Sequence, residues 1–580
     1  MKNIFTFLLL VLYSSSCLAQ SASQFDILLE EIWQYEMSVN PTSATGYGIH
    51  DFDDKLSDNS PEGLAIEDQQ YRLFLSRLNK IEITTLSRNE QITLLIQQEK
   101  LQNYIDQYRY HAHYMPLTSE SGFHSGLAFL PRSTRFKSLA DYQNYLTRLK
   151  QFPSYFAQQI YWMKQGIATG FVQPKAVLSG FENSISSFIH PTPQESVFYA
   201  PFKQLETSSF STKDKLDLQQ QAAEVITKQV FPAYQQFYDF FVNEYVPNSK
   251  SSIAAQAWPN GRAYYQNRSD HYTTTTMSVE DIHNLGLAEV KRIRGEMQQI
   301  VNQLEFDGNI NQFIEFLRTD PQFYAKSADE LIKQASYIAK KMDARLPQLF
   351  SLLPRIPYGV VPVPDNIAPK YTTGRYISPT RDDQPGYYWV NTYALDKRPL
   401  YALTALTLHE AVPGHHLQIS LASEMQDLPK VRRYSYLSAF GEGWGLYSEF
   451  LGQEVGMYET LYDDFGRLSY EMWRACRLVV DTGMHIKEWS KQQAIDYMLE
   501  NTALSEHNIR TEVDRYISWP GQALSYKIGE LTIKRLRLQA EQALGDKFDV
   551  REFHQAVLEY GSVPLSVLEE NIDIYIKSKK

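Results

Sequence analysis

The sequence predicts a mainly α-helical protein with one small β-sheet, and three observations carry that expectation. Apolar residues recur at helical intervals over most of the chain, Ser-x-x-Asp pairs stand ahead of those stripes as helix starts, and regular helix is interrupted at length between Leu353 and Pro399. No internal repeat or low-complexity tract is present.

At the N-terminus, Lys2, the apolar run Ile4 to Tyr13 and the tail Ser14-Ser15-Ser16-Cys17-Leu18-Ala19-Gln20 read as a secretory signal over residues 1–19, cleaved after Ala19. The run is too short to stay as a membrane-spanning helix, so no transmembrane helix is expected in the mature chain. Cys17 after small residues also permits a lipid anchor, although Ser14 stands where a lipoprotein signal usually has an aliphatic residue. The expected location is therefore outside the cytoplasm, periplasmic or secreted, with anchoring through Cys17 as the alternative. Cleavage after Ala19 would leave Cys476 alone, which excludes an internal disulfide.

Residues 20–350 read as a mostly helical first half. Ser138 and Asp141 cap a helix whose apolar face holds Tyr142, Tyr145, Leu146, Leu149 and Phe152, and Pro153 ends it. A second helix carries Tyr155, Phe156, Ile160 and Met163 as far as Gly166 to Gly170. Ser278 and Asp281 cap another, with Val279, Ile282, Val290, Ile293, Met297 and Ile300 on its stripe.

Residues 351–399 form a Pro-rich insert in which Pro354, Pro357, Pro362, Pro364, Pro369, Pro379 and Pro385 forbid a long helix. Tyr358 to Val361 and Tyr387 to Val390 are β-prone, which predicts a small sheet there.

Residues 400–580 return to helix and hold the chemistry. A chain of 580 residues can bury a large core and would ordinarily divide into two or more domains. A net charge of -11 argues against nucleic acid or an anionic membrane as a partner. The 39 tyrosines and 30 phenylalanines are scattered, as core residues are.

The apolar run from Leu400 to Leu421 contains His409-Glu410-Ala411-Val412-Pro413-Gly414-His415-His416, and Glu442 follows downstream. A catalytic zinc needs three His or carboxylate ligands, an open position for water, and a nearby carboxylate to take that water's proton. His409, Glu442 and either His415 or His416 can supply the ligands for one zinc per chain, with Glu410 as the base. In an ordinary HExxH helix the histidines are four residues apart, and here that place is Pro413. On a straight helix His415 would lie roughly 240° round from His409, whereas His416 would return near the same face about 10 Å further along. The azimuth favours His416; Pro413 and Gly414 predict a bulge that could fold either histidine back. Burying three imidazoles and a carboxylate with neither metal nor partner would be costly.

Five segments in order, HEAVPGHHLQ, EGWGLYSE, RACRLVVDTGMH, DRYISWPGQALSYKIG and GSVPLSVLE, resemble the bacterial family called domain of unknown function 885. The resemblance runs from about Ser23 to the C-terminus and is densest over the last 200 or so residues. It implies a zinc metallopeptidase of the group whose third ligand is a glutamate, folded as a two-lobed helical body with a deep cleft and a small sheet beside the metal helix. The run Glu442 to Glu449 is similar to the segment carrying the third zinc ligand in aminopeptidase N relatives, which implies Glu442 as ligand and Glu449 as the carboxylate behind it. Arg515-Tyr516 is similar to the Arg-Tyr pair of angiotensin-converting enzyme, which implies Tyr516 as oxyanion donor and His507 as a substrate-binding histidine. Peptidases of this clan bind substrate backbone on an edge strand before the metal helix. That implies a substrate role for Gly386 to Asn391, including Tyr388 and Asn391; a purely structural hairpin is the alternative.

Arg474, Arg477, Asp481 and His485 share one helical face. Asp481 could orient a metal-bound histidine, or the row could be an internal salt-bridge ladder. Arg515, Gln522, Tyr526 and Lys527 could hold a peptide carbonyl or a terminal carboxylate. The expectation is thus an exported zinc peptidase acting on peptides. Its rivals are a zinc hydrolase for esters or non-peptide amides, and a catalytically inactive exported or lipid-anchored binding protein.

Overall fold

The computed structural model describes residues 23–365, 367–379 and 384–580. The signal segment 1–19 and Cys17 lie outside the described residues. The chain is mainly α-helical, and the one sheet among the described residues has three short strands.

The helices begin where the capping signals place them. Ser23 and Asp26 close a capping box on α1 (Gln24–Val39), which packs with α2 (Pro61–Leu78) and α3 (Arg88–Arg109) around Ile32, Trp33, Phe74 and Leu101. The predicted pair follows as α4 (Leu139–Leu149), boxed by Ser138 and Asp141, and α5 (Phe152–Thr169), ended by Gly170 in the left-handed region, but Phe152 and Pro153 open α5 instead of closing α4, because proline fits the first turn of a helix. Then α6 (Val279–Gln303) starts at Ser278 and buries the predicted stripe from Val279 to Ile300.

The insert forms β1 (Tyr358–Pro362), β2 (Gly374–Ile377) and β3 (Gly386–Val390), in the spatial order β1-β3-β2. β1 runs parallel to β3 with Tyr358 opposite Gly386, and β2 runs antiparallel with Gly374 opposite Val390. The expected edge strand Gly386 to Asn391 is therefore the centre of the sheet, and β1 and β2 are its edges.

Beyond the sheet come α7 (Leu403–Glu410), α8 (His415–Ser423), α9 (Ser438–Glu454), α10 (Leu461–Ile486), α11 (Glu506–Ser518) and α12 (Ser525–Leu544). α6 packs along α10, and α9 along α12. Every residue of α7 is buried. Its Leu403, Ala405 and Leu406 join one large apolar core, whereas Leu408 joins a second. Each fully buried leucine contributes about 1.5–3 kcal/mol, so the helix that carries His409 and Glu410 is held firmly from both sides. Cys476 is buried on α10 as a free thiol.

Candidate metal centre

The bulge predicted at Pro413-Gly414 is a complete break between two helices. α7 ends at Glu410, Ala411 leaves the helical region at φ -94 and ψ -113, and α8 restarts at His415. The connection folds tightly: the Gly414 amide donates to the Leu408 carbonyl at 3.0 Å, and the Trp444 indole donates to the Pro413 carbonyl at 2.8 Å. A Cβ on Gly414 would stand 1.9 Å from the His409 carbonyl oxygen, so only glycine permits this approach.

The break decides between the two histidines. His415 Nε2 lies 3.3 Å from Glu442 Oε2, His409 Nε2 lies 3.5 Å from the same oxygen, and the two rings stand nearly perpendicular with centroids 4.7 Å apart. One ligand atom from each of the three residues falls within 4.8 Å of the others. Atoms bound to one tetrahedral zinc at about 2.0–2.2 Å would lie roughly 3.3–3.6 Å apart, so the two distances to Glu442 and the donor types fit that ion. The leaning towards His416 is corrected, because α8 begins anew and its azimuth is not inherited from α7. His416 turns to the sheet: Nδ1 meets the Tyr376 hydroxyl at 3.1 Å, and its ring packs on Tyr358. Burial lowers its pKa to about 4, outweighing the bond with the Ile356 backbone, so it is neutral at pH 7.

The surrounding groups aim these three side chains. His409 Nδ1 bonds Glu449 Oε1 at 2.8 Å, and Arg474 braces the same oxygen at 3.3 Å, which turns Nε2 towards Glu442. The Tyr436 hydroxyl donates to Glu442 Oε1 at 3.1 Å, leaving Oε2 towards the imidazoles. Among protein groups alone, burial would lower the His409 pKa, but bonds to Glu442 and Glu449 hold it at about 9. Burial would likewise raise Glu442, yet His415 and His409 keep it well below the usual carboxylate range. Glu410 Oε2 accepts the Tyr376 backbone N–H at 2.6 Å, so edge strand β2 fixes the carboxylate beside the ligand pair.

These groups open into a cleft of about 410 Å³, a size that suits a small organic ligand or a few residues of peptide. Of the predicted substrate residues, Arg515, Gln522 and Tyr526 line it. The Tyr526 ring lies 6.3 Å from that of His409, nearly parallel to it.

Other expectations are not met. Tyr516 is buried away from the cleft lining, and its hydroxyl already accepts from Trp473 Nε1 at 2.9 Å and Arg477 Nε at 2.8 Å. Lys527 turns away from the cleft lining into Glu289, Glu471 and Glu530. Asp481 takes the Tyr265 hydroxyl at 2.5 Å and the Gly521 amide at 3.2 Å, and burial raises its pKa to about 7; it touches no metal-site histidine. His507 has Arg398, Lys397 and Asp396 as its charged neighbours, outside the cleft lining. Tyr388 is buried behind α7 against Thr407, and Asn391 ties the carbonyls of Ala368, Tyr371 and Thr372, so both build the wall without facing the cleft.

The sequence reading missed Arg375, Glu120 and Tyr436 as cleft residues. Arg375 sits on the four-residue strand β2, too short to show periodicity. Glu120 lies in a loop far upstream that no local pattern connects to the site. The arginine row of α10 was visible, but its approach to the cleft depends on packing between helices.

The family described as "Bacterial protein of unknown function (DUF885)" matches residues 41–572. Among solved structures, the chain is similar to "the putative lipoprotein from Colwellia psychrerythraea", at 30% identity over 96% of this chain and 99% of that one, with a TM-score of 0.87. It shares its fold with "a putative lipoprotein of unknown function from Shewanella oneidensis", at 19% identity over 95% of this chain and 99% of that one, with a TM-score of 0.72. No curated protein matches it. Among the described residues no helix is long and apolar enough to cross a membrane. With most of its length matched by that profile, the chain belongs to the bacterial DUF885 family.

Proposed function

We propose that this chain is an exported zinc-dependent peptidase whose metal is held by His409, His415 and Glu442. The observation that carries this reading is the convergence of those three ligand atoms beside Glu410 in a cleft. Bound zinc would supply Lewis acidity, acidifying a water towards a pKa of about 7 and polarising an acyl carbonyl. The chain's own part is orientation and proton transfer. Glu449 fixes the His409 ring, Tyr436 fixes Glu442, and the Tyr376 amide fixes Glu410. Glu410 Oε1 then takes the water's proton and returns it to the leaving amine. With Tyr516 turned away, Tyr526 becomes the tyrosine placed to donate to the developing oxyanion.

On this reading the architecture is a two-lobed peptidase-like cleft. Glu120 and His271 come from the first half, Arg375 from the insert, and Arg477 and Arg515 from the last segment, all lining one cavity. The N-terminal signal directs export, and Cys17 offers a lipid anchor.

A second reading is an exported or lipid-anchored protein that binds its ligand without turning it over. Both solved relatives are described as putative lipoproteins, one of them of unknown function, so the comparisons lend this reading more support than they lend hydrolysis. Elemental analysis and a panel of peptides and esters separate the two. The proposal expects one zinc per chain and peptide turnover, with Glu410→Gln keeping its zinc while activity falls by about 10²-fold to 10⁴-fold. Metal bound with no turnover of any peptide or ester selects the second reading; turnover of esters alone assigns a different acyl hydrolase.

A further inference from the structure

We infer that the arginines of the cleft form a subsite for a carboxylate, and that the carboxylate is the C-terminus of a short peptide. The inference rests on the proposed reading of His409, His415 and Glu442 as a hydrolytic centre.

The charge balance points to an anion. Arg477 Nη2 and Arg515 Nη2 both bond one oxygen, Glu512 Oε2, at 2.9 and 3.1 Å. Two permanent cations thus share a single carboxylate, although both are buried at 3% and 6% exposure. Arg477 Nη1 is buried with no hydrogen-bond partner. Arg375 approaches from β2, open to the cleft, with its guanidinium over the Tyr371 ring. Glu120 lines the same cleft, yet its buried Oε1 makes no hydrogen bond to any of these arginines, and with it counted the three guanidiniums still face only two carboxylates, Glu512 and Glu120. A planar carboxylate meets guanidinium donors in paired fashion, so the arginines that line the cleft, with one buried donor of Arg477 unpaired, suit that group.

Position supplies the length of the substrate. The Arg477 guanidinium carbon lies 4.2 Å from the Tyr526 ring, and that ring lies 6.3 Å from His409. At about 3.3–3.6 Å per extended residue, a chain whose terminal carboxylate rests on Arg477 has about one to three residues between that point and the metal ligands. Hydrolysis there forms a C–O bond to the water oxygen and breaks the C–N bond. The water's proton passes through Glu410 to the leaving amine. The product is a fragment of one to three residues with a free carboxylate. A longer peptide would leave its N-terminal part in the open cleft, so the action is from the C-terminus.

The test compares a neutral tetrapeptide acid, its C-terminal amide, and an amide with Glu in the last position, on the zinc-loaded full chain and on Arg375→Gln. Calorimetric binding of the same three peptides, with zinc and after chelation, supplies a readout apart from turnover. The acid should exceed the neutral amide by about 10-fold to 100-fold in kcat/KM and in affinity, the worth of charged hydrogen bonds. R375Q should narrow that advantage, and the fragments released should be one to three residues long. Equal rates and affinities for all three peptides overturn the subsite. A preference for the Glu amide over the acid overturns the C-terminal assignment in favour of an acidic side chain. Tighter binding of the acid with no hydrolysis of any peptide leaves the subsite standing and removes the peptidase reading.

Discussion

His415 and His416 are adjacent in sequence and opposite in setting, which makes them the sharpest residue-level test of the centre. His415 faces Glu442 and His409, whereas His416 sits neutral between Tyr376 and Tyr358. His415→Ala is expected to strip zinc, since two ligands rarely hold a catalytic ion. His416→Ala should keep the metal and lose about 0.5–1.5 kcal/mol of stability with its hydrogen bond. Metal content after dialysis, read beside the melting midpoint, checks both; a metal-free His416 variant with a metal-loaded His415 variant would reverse the assignment. The sequence showed which residue types could meet at the site: the pairing of His409 with Glu442 was legible from the residues, and Glu449 behind them only from the resemblance to aminopeptidase N relatives. The choice between neighbouring histidines was not, because azimuth arithmetic assumes one continuous helix and the chain starts a second one at His415.

The elements place these side chains by close approach. α9 carries Glu442 and Glu449 on the face it turns to α7, and Gly445 lies on that face between them. A Cβ on Gly445 would come within 2.7–2.8 Å of the His409 ring atoms Cε1 and Nε2, so the glycine is the floor on which that ring rests. Gly445→Ala should therefore tilt His409 and weaken zinc affinity by about tenfold to a hundredfold, the range seen when a ligand's support is disturbed, while the helix itself gains propensity. Competition with a chelator measures it, and unchanged affinity would mean that the ring can shift without cost. The helices were legible in the sequence because capping boxes and stripes are local signals. β1 and β3 were legible from β-prone runs, but β2 was not: Gly374-Arg375-Tyr376-Ile377 is short, and its place at the edge depends on pairing with β3. The same limit misdirected Tyr516. Its motif lies on α11, yet the packing of α11 against α10 ties the hydroxyl to Trp473 and Arg477, which line the cleft while Tyr516 does not.

Across the whole molecule, the site depends on α6, α10 and α12 holding their relative positions, and a buried charge network joins them. Lys527 of α12 is fully buried, with Nζ 2.8 Å from Glu471 of α10, 2.7 Å from Glu530 of its own helix and 3.1 Å from Glu289 of α6. Arg292 of α6 reaches the same Glu471 oxygen at 2.5 Å. Burial alone would depress the Lys527 pKa, but Glu471, Glu530 and Glu289 raise it above the ordinary lysine value, so the ammonium stays charged. From sequence, Lys527 beside Tyr526 reads as a substrate ligand, since adjacent residues share a motif; on a helix they point about 100° apart, and only Tyr526 faces the cleft. Lys527→Met separates the two roles. It keeps most of the volume but removes the fully buried cation at the centre of the network, leaving Glu289 to Arg292, Glu530 to Lys534 and Glu471 to Arg292, Arg467 and Lys534; breaking a buried pair costs up to about 3–5 kcal/mol. The expected outcome is a lower denaturation midpoint, with KM for peptide close to wild type in the protein that remains folded at low temperature. An unchanged midpoint with a raised KM would return Lys527 to the substrate and leave the joining of the three helices to their apolar contacts and to the pairs that Arg292 and Lys534 make with Glu471.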